Sequence, residues 1–381
     1  MNWQKLKEAM INKILFAAGG TGGHIYPAIA IADELRKMNQ NIDIRFIGAK
    51  GRIEEKIVPQ NGYKLETIDI SGFKRSLSIK NVSAAYKVLK SIRRSKEILN
   101  EFKPEIVYGT GGYVSGPVLR TAAKMGIPTV IEEGNYYPGV TVKLVSKYAT
   151  RVILNFEGTK KYLKRQDNIE IMSYPVRENL KRYGKSESAI YFGLDPNKNI
   201  LFVFGGSQGA NSINNSLKKC FKNITSSGIQ IIWQTGDKDF ESICKIVNSN
   251  KNVKVLKYID NIDYAYSASD LVLCRSGIST IMELASFGSA AVFVPFPGAA
   301  ENHQQKNADA LAEKNAAEII PDRELDIKLE PIVTGLLSNK EKLNSFKKNI
   351  AQFSNKKAAS KIANMLSELI KEPVKRGNKT V

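Results

Sequence analysis

Histidine, cysteine and long apolar runs are all scarce in this 381-residue chain, and each scarcity excludes something. The three cysteines, Cys220, Cys244 and Cys274, form no paired framework, which points to a reducing compartment rather than a disulfide-built secreted protein. With two histidines and no close cysteine pair, no structural zinc site is expected. The longest stretch without Asp, Glu, Lys or Arg, 14–32, is broken by four glycines, His24 and Pro27; the stretch 284–300 is broken by Gly288, Pro295, Pro297 and Gly298. Neither reads as a membrane span. The apolar run after Lys13 reaches glycine too soon to be the core of a signal peptide. The chain is therefore expected to be cytosolic, with any membrane contact peripheral. Acidic residues are also outnumbered: 37 Asp and Glu against 57 Lys and Arg leave a formal charge of +20. Part of that excess can be mere composition; otherwise it asks for an anionic partner, either lipid headgroups or nucleic acid. No zinc-finger spacing or RNA-binding strand motif accompanies it.

What is present is organised around Ile14-Leu-Phe-Ala-Ala-Gly-Gly-Thr-Gly-Gly-His-Ile-Tyr-Pro27, an apolar strand that runs through Gly19, Gly20, Thr21, Gly22 and Gly23 to His24 and then into a helix over 27–38. A strand followed by a glycine turn and a helix N-terminus offers unpaired N–H groups and the positive end of a dipole, so an anion is the natural guest. The turn is not a Walker loop, since Gly23 is followed by His24 and Ile25 rather than Lys and Ser or Thr. Nor is it a dinucleotide fingerprint: the glycine spacing is wrong, and Asp43 stands near the start of its strand instead of the end.

Length and a 43% hydrophobic content suit two globular domains. Residues 1–11 gather Trp3, Leu6, Met10 and Ile11 on one face of a short docking helix. Strands are predicted over 13–18, 42–47, 65–70, 105–109, 129–133, 151–155 and 170–172, with helices over 118–125 and 140–148, all in a first α/β domain spanning 1–177. The strand at 105–109 opens into a second glycine loop, Gly109-Thr-Gly-Gly-Tyr-Val-Ser-Gly-Pro117. Between the two loops, 71–103 is a basic amphipathic stretch in which Lys74, Arg75, Lys87, Lys90 and Arg94 are interleaved with apolar residues. It reads as a solvated helix or as a patch facing anionic headgroups. A polar connection over 178–199 follows, and then the opening theme returns as Asn199-Ile-Leu-Phe-Val-Phe-Gly-Gly-Ser-Gln-Gly-Ala210. Two similar α/β halves are the economical architecture, the second over 200–340, followed by a basic helical segment over 341–371 and a tail over 372–381.

Taken together, Gly19-Gly-Thr-Gly-Gly-His24, Gly111-Gly-Tyr-Val-Ser-Gly116, Gly205-Gly-Ser-Gln-Gly-Ala210, Arg275-Ser-Gly277 with Glu283, and His303-Gln-Gln305 with Asn307 resemble the MurG family of N-acetylglucosamine transferases over about residues 12–365. The resemblance implies a GT-B fold, with two Rossmann-like domains whose parallel sheets face each other across a cleft. It implies inverting transfer from UDP-N-acetylglucosamine to the 4-hydroxyl of an N-acetylmuramyl-pentapeptide linked through diphosphate to undecaprenol, the last step of the lipid-linked peptidoglycan precursor. No metal or cofactor is implied. The partners would be the two substrates, anionic membrane lipids and other cell-wall synthesis proteins, at the cytoplasmic face of the cell membrane; nucleic acid is not expected.

By position, the donor would meet Gly206, Ser207, Gln208 and Gly209 at its diphosphate, with Arg275, Ser276 and Gly277 nearby. The Ile259 backbone would meet uracil, Glu283 the ribose hydroxyls, and Gln304 with Gln305 the sugar. Thr21, Gly22, Gly23, Asn135 and Arg177 would complete the donor side. Gly19, Gly20, Gly22 and Gly23, together with Gly111, Gly112, Tyr113, Ser115 and Gly116, would face the acceptor. A hydroxyl that attacks an anomeric carbon must lose a proton, and His24 is the base an imidazole near neutral pKa would supply; His303 is the weaker candidate. Where the family has His-Glu-Gln-Asn this chain has Glu132-Glu133-Gly134-Asn135, and where it has Gly-Asn-Pro it has Ser173-Tyr174-Pro175. A carboxylate at 132 would oppose an acceptor diphosphate if it faced one. Two other readings stay open from the residues: a GT-B enzyme using another acceptor, and a basic nucleic-acid-binding protein.

Overall fold

The computed structural model describes residues 11–70, 79–177, 180–206 and 208–371, with backbone only over 79–86. The expected docking helix at 1–11, Lys74, Arg75, Ser207 and the tail at 372–381 fall wholly or almost wholly outside these residues. Among the described residues, those up to Arg177 and those from Lys356 onward form one compact unit, and those between, ending at Asn355, form another.

The first unit is a seven-stranded parallel sheet. Its strands are β1 (Lys13–Ala17), β2 (Asp43–Ala49), β3 (Lys64–Ile68), β4 (Ile106–Gly109), β5 (Thr129–Glu133), β6 (Arg151–Leu154) and β7 (Ile169–Ile171), in the order β3-β2-β1-β4-β5-β6-β7. The order reverses between β1 and β4, so the loops that leave these two strands lie side by side at the carboxyl edge. Helices α1 (Gly22–Met38), α2 (Glu54–Gln60), α3 (Ile79–Phe102), α4 (Gly112–Lys124) and α5 (Val140–Val145) connect the strands. Strand residues alternate between two cores. Phe16, Phe46, Tyr108, Val130 and Ile153 pack under α1 and the C-terminal helix Ala358–Leu369, whereas Leu15, Ile47, Val107, Ile131 and Val152 pack under α3, α4 and α5. Burial of both faces is why these strands read as continuous apolar runs.

Two expectations are corrected here. The first helix begins at Gly22 and not Pro27, so His24 lies in its first turn and Pro27 inside it. The helical segment expected over 341–371 is divided: one helix ends at Ala351 in the second unit, while Ile362, Ala363, Leu366 and Leu369 join the α1 core of the first.

The second unit has six parallel strands. They are β8 (Ile200–Phe204), β9 (Gln230–Gln234), β10 (Val253–Leu256), β11 (Leu271–Cys274), β12 (Ala291–Phe293) and β13 (Glu318–Ile319), in the order β10-β9-β8-β11-β12-β13. Its helices are α6 (Lys185–Tyr191), α7 (Asn211–Ser226), α8 (Phe240–Val247), α9 (Ile262–Ala268), α10 (Ile278–Phe287), α11 (His303–Ala312), α12 (Leu325–Ser338) and α13 (Lys340–Ala351). The segment 178–199, polar by composition, carries α6, whose end is anchored by buried Ala189, Phe192 and Leu194. Trp233, the largest fully buried side chain, donates its indole N–H to Asn214 Oδ1 at 2.9 Å, fixing α7 against β9.

Candidate functional site

In the second unit the carboxyl edge of the sheet opens into a cleft of about 590 Å³. Its walls come from the β8–α7 turn (Gly205, Gly206, Gly209, Ala210), the first residues of α7 (Asn211, Ser212), the β11–α10 turn (Arg275, Gly277), Thr280 in the first turn of α10, and Phe204, Phe296, Pro297, Gln304 and Asp322. Two helices, α7 and α10, thus begin at the cleft, and their free N–H groups make it suited to an anion. Gly209 has φ +75°, and a Cβ there would sit 2.1 Å from the Thr235 carbonyl oxygen, so only glycine closes this turn. Gln234 braces the loop by donating to the Gly206 carbonyl at 3.1 Å while accepting the Ile259 N–H at 3.0 Å.

Of the residues expected at the donor, Gly206, Gly209, Arg275, Gly277 and Gln304 line this cleft. Arg275 is not a loose cation: it is ion-paired to Asp322 and also donates to the carbonyls of Val294 (3.1 Å) and Pro295 (3.2 Å) and to Ser212 Oγ (2.8 Å). Gln304 is oriented by the Phe296 N–H, which its Oε1 accepts at 3.0 Å. Ser276 is fully buried, its hydroxyl donating to the Gln304 carbonyl at 2.9 Å, so it ties the β11–α10 turn to α11 instead of reaching a ligand. The Ile259 N–H donates to Gln234 Oε1, which leaves its carbonyl as the backbone group there for a base. Glu283 lies on α10, nearly buried, accepting from the Tyr266 hydroxyl at 2.9 Å. Gln305 donates to Asp309 at 2.8 Å. Neither Glu283, Gln305, Gln208 nor Ile259 is on the cleft wall. Sequence reading missed Ser212, Thr280, Phe296 and Asp322. The first two carried a signal, being polar residues one or two places into helices that follow glycine turns. Glu301 and Asn302, both at φ +54°, strain the backbone just before α11, as functional loops often do.

In the first unit the β1–α1 and β4–α4 loops interlock. His24 Nδ1 lies 2.6 Å from the Thr110 carbonyl oxygen. A carbonyl only accepts, so Nδ1 carries the proton, and in the neutral ring Nε2 keeps its lone pair. Gly111 (φ +84°) and Gly112 (φ +70°) lie beside this ring in the left-handed region that favours glycine, and a Cβ at Gly112 would crowd the ring at 3.2 Å. Tyr113 lies over Gly20, and burial pushes its hydroxyl pKa up. Ser115 is buried with its hydroxyl between the Gly111 (2.6 Å) and Ala17 (2.9 Å) carbonyls, and a Cβ at Gly116 would touch the Thr141 methyl at 3.4 Å.

The anion expected at the first glycine loop is already there, and it is the protein's own. Glu54 is fully buried, with Oε1 accepting from Ala49 (2.8 Å) and Gly20 (3.1 Å) and Oε2 also 3.2 Å from the Gly20 N–H. A Cβ on Gly19 would lie 2.4 Å from that carboxylate. Gly19 and Gly20 therefore accommodate Glu54, which corrects their assignment to an acceptor diphosphate. Gly22 and Gly23, by contrast, are in the first turn of α1, after its Thr21 N-cap. Asn135 folds back on Glu133, both its backbone and side-chain N–H groups donating to Oε1 at 2.9 Å. Arg177 stacks over Tyr26, 5.5 Å from the ring centre.

Glu132 does not face a diphosphate as a carboxylate. It is 1% exposed, and burial pushes its pKa up to about 8. In the basic stretch, Lys87 is paired with Asp69 (2.8 Å) and Arg94 with Glu66 (3.1 Å), while Lys90 and Leu89 are exposed. No helix among the described residues is long and apolar enough to cross a membrane, and no group of three or more His, Cys, Asp or Glu among them could hold a metal ion.

Comparison with known proteins agrees with this geometry. The glycosyltransferase family 28 N-terminal domain matches residues 14–154, and the family's C-terminal domain matches 200–363. The UDP-N-acetylglucosamine–N-acetylmuramyl-(pentapeptide) pyrophosphoryl-undecaprenol N-acetylglucosamine transferase of Flavobacterium psychrophilum is 40% identical over 360 residues, covering 94% of this chain and 98% of its own. The protein of the same name from Ruminiclostridium cellulolyticum is 38% identical over 363 residues, 94% of this chain and 100% of its own. The crystal structure of Acinetobacter baumannii MurG matches with a TM-score of 0.77 at 26% identity, covering 93% of this chain and 99% of that one. The chain belongs to glycosyltransferase family 28 and, within it, to the MurG transferases, whose two-domain α/β GT-B architecture its two parallel sheets share.

Proposed function

We propose that this protein transfers N-acetylglucosamine from UDP-N-acetylglucosamine to the 4-hydroxyl of the N-acetylmuramyl-pentapeptide carried on undecaprenyl diphosphate. The observation that carries this reading is the near full-length kinship with transferases named for that reaction, joined to an anion-suited cleft at the carboxyl edge of the second sheet. UDP takes its diphosphate to Gly206, Gly209 and the starts of α7 and α10, where backbone N–H groups and helix dipoles meet the charge that grows as the glycosidic bond to phosphate breaks. Glu283 serves the ribose, with Tyr266 holding its other oxygen. Gln304, set by the Phe296 amide, serves the sugar.

His24 is the base. Thr110 fixes its Nδ1 proton, so Nε2 receives the proton of the attacking 4-hydroxyl as that oxygen bonds to the anomeric carbon and UDP departs from the opposite face, inverting the centre. Gly22, Gly23, Gly111 and Gly112 form the acceptor side of the first unit. Attachment is peripheral, through basic residues of α3 such as Lys90 on anionic lipid. The test is purified protein with UDP-N-acetylglucosamine and a synthetic short-chain lipid-linked muramyl-pentapeptide, with unrelated glycolipids and free sugars run separately and product read by mass spectrometry. Disaccharide is expected from the muramyl acceptor. Product from another acceptor alone overturns the substrate assignment, and no UDP release with any acceptor overturns the reading as a whole.

A further inference from the structure

The wall of the cleft in the second unit carries one side chain that anion binding does not explain. Glycine amides and helix starts suit a diphosphate, and Arg275, Ser212 and Asp322 are tied to one another. Phe296 brings neither charge nor a polar side-chain atom, yet it is 47% exposed on that wall. The other phenylalanine there, Phe204, is 4% exposed and stacked on Phe202, so it belongs to the core.

The Phe296 ring is seated. Its backbone N–H donates to Gln304 Oε1 at 3.0 Å, and its carbonyl accepts the Ala299 N–H at 3.1 Å across a turn whose second residue is Pro297, where proline presets φ. The ring tip bends over Gly298, at which a Cβ would lie 2.7 Å from Cζ and 2.8 Å from Cε1. The Arg275 guanidinium stands 5.4 Å from the ring centre and is itself fixed by Asp322 and by the carbonyls of Val294 and Pro295. A polar cleft thus holds a fixed apolar surface.

The chemistry of the guest decides what meets it. The face of an aromatic ring is the negative side of its quadrupole, so a diphosphate is not its partner. Position separates the two neutral ends of a sugar nucleotide. Phe296 follows β12, on one side of β8 and β11, whose loops take the diphosphate; Ile259 follows β10, on the other side. With the base toward β10, the sugar lies toward β12. Gln304 Oε1 is engaged by the Phe296 amide, which leaves the side-chain NH2 for a sugar oxygen. The one methyl group of N-acetylglucosamine is on its 2-acetamido substituent, where glucose has a hydroxyl.

We propose that Phe296 is a specificity-determining residue for the donor: its ring receives the acetamido methyl group, so the cleft selects an N-acetylhexosamine over a hexose on the same nucleotide. Gly298 serves the same selection by leaving room for the ring. This rests on the reading of the cleft as the UDP-N-acetylglucosamine site.

Calorimetry with UDP, UDP-glucose and UDP-N-acetylglucosamine tests it without turnover. The natural protein should bind UDP-N-acetylglucosamine about tenfold or more tighter than UDP-glucose, the discrimination a small apolar group supports. Phe296→Ala should remove that difference while leaving the Kd values for UDP and UDP-glucose nearly as they were. Gly298→Ala keeps the phenyl group but pushes it off its seat, and should narrow the difference in the same direction; it carries the test if Phe296→Ala does not fold. A natural protein that binds both sugar nucleotides equally, a difference that persists in the variants, or an equal loss for all three ligands overturns the inference and leaves the donor cleft standing. Failure of the natural protein to bind UDP overturns the cleft assignment itself, and this inference with it.

Discussion

Replacing Glu54 tests whether the first glycine loop is built on an internal anion. The carboxylate accepts N–H groups from Gly20 and Ala49 and has no exposed surface. Hydrogen bonds to a charged acceptor contribute about 1.5–3 kcal/mol each. In Glu54→Gln an amide oxygen at the Oε1 position can still serve both Ala49 and Gly20, but the new NH2 group at the Oε2 position is turned against the Gly20 N–H. The charge assistance and the Oε2 contact are lost, so the variant should be less stable by about 1.5–3 kcal/mol. Glu54→Ala loses both bonds and opens a void between Gly19 and Gly48, for a cost of about 3–5 kcal/mol. At roughly 2–4 °C per kcal/mol for a unit of this size, the Gln variant should melt about 3–12 °C lower. Hydrogen exchange followed by mass spectrometry reads the loop directly: the peptides that contain Gly20 and Ala49 should lose protection in Glu54→Ala, while peptides from the second unit and UDP affinity stay as they were. Unchanged protection at both amides, with an unchanged melting point, would refute the reasoning and return the loop to the ligand.

Gly209→Ala should weaken UDP binding by tenfold or more, about 1.4 kcal/mol, because φ +75° and the Thr235 oxygen leave no room for a methyl group; a calorimetric Kd equal to that of the natural protein refutes this. Glu283→Ala should cost UDP about 1–3 kcal/mol of affinity while freeing the Tyr266 hydroxyl, and an unchanged Kd removes Glu283 from the ribose. The stability of the natural protein should fall as pH rises. Glu132 keeps its proton up to about 8 when folded and only to 4.5 when unfolded, so the folded state holds the extra proton across that window. The slope approaches about 1.4 kcal/mol per pH unit there, and Glu132→Gln should flatten it in denaturant titrations from pH 5 to 9. Charge reversal at Lys87, Lys90 and Arg94 should release the protein from anionic liposomes, where each basic residue near the surface contributes about 1 kcal/mol; the larger part of the loss should come from Lys90, since Lys87 and Arg94 already face Asp69 and Glu66. Equal cosedimentation of variant and natural protein would make α3 a solvated helix.

The frame of both sheets was legible in the sequence because strands buried on two faces leave unbroken apolar runs. The strand predicted over 129–133 has the observed bounds, Thr129–Glu133. Helix starts were read late, at Pro27 and Val118 where the structure begins at Gly22 and Gly112, since glycines were taken for turn when they open the first turn of each helix. β13 is two residues long and α12 follows it closely; neither leaves a periodic signal strong enough to stand apart from its surroundings. The C-terminal helix looked continuous with its neighbour in composition, and only the core it joins separates them. At the site, the glycines and His24 were visible as residue types. The partners that set their roles were not, because Glu54 and Gln234 come from distant parts of the chain and belong to no motif.

That last gap decides how much a repeated loop can mean. Gly19-Gly-Thr-Gly-Gly and Gly205-Gly-Ser-Gln-Gly follow equivalent strands of similar sheets, and composition alone gives both the same anion-binding capacity. In the first, Glu54 comes from α2, the helix after the next strand, and closes the Gly20 amide with a carboxylate. In the second, the brace beneath the loop is Gln234, a neutral side chain that donates to a carbonyl and leaves the amide side open to a cleft of about 590 Å³. A carboxylate under one loop repels a diphosphate at the place where a carboxamide under the other permits it. Duplication of a fold therefore need not duplicate its ligand site: one buried side chain closes the Gly20 amide in one copy, and the other copy keeps its loop open to the cleft.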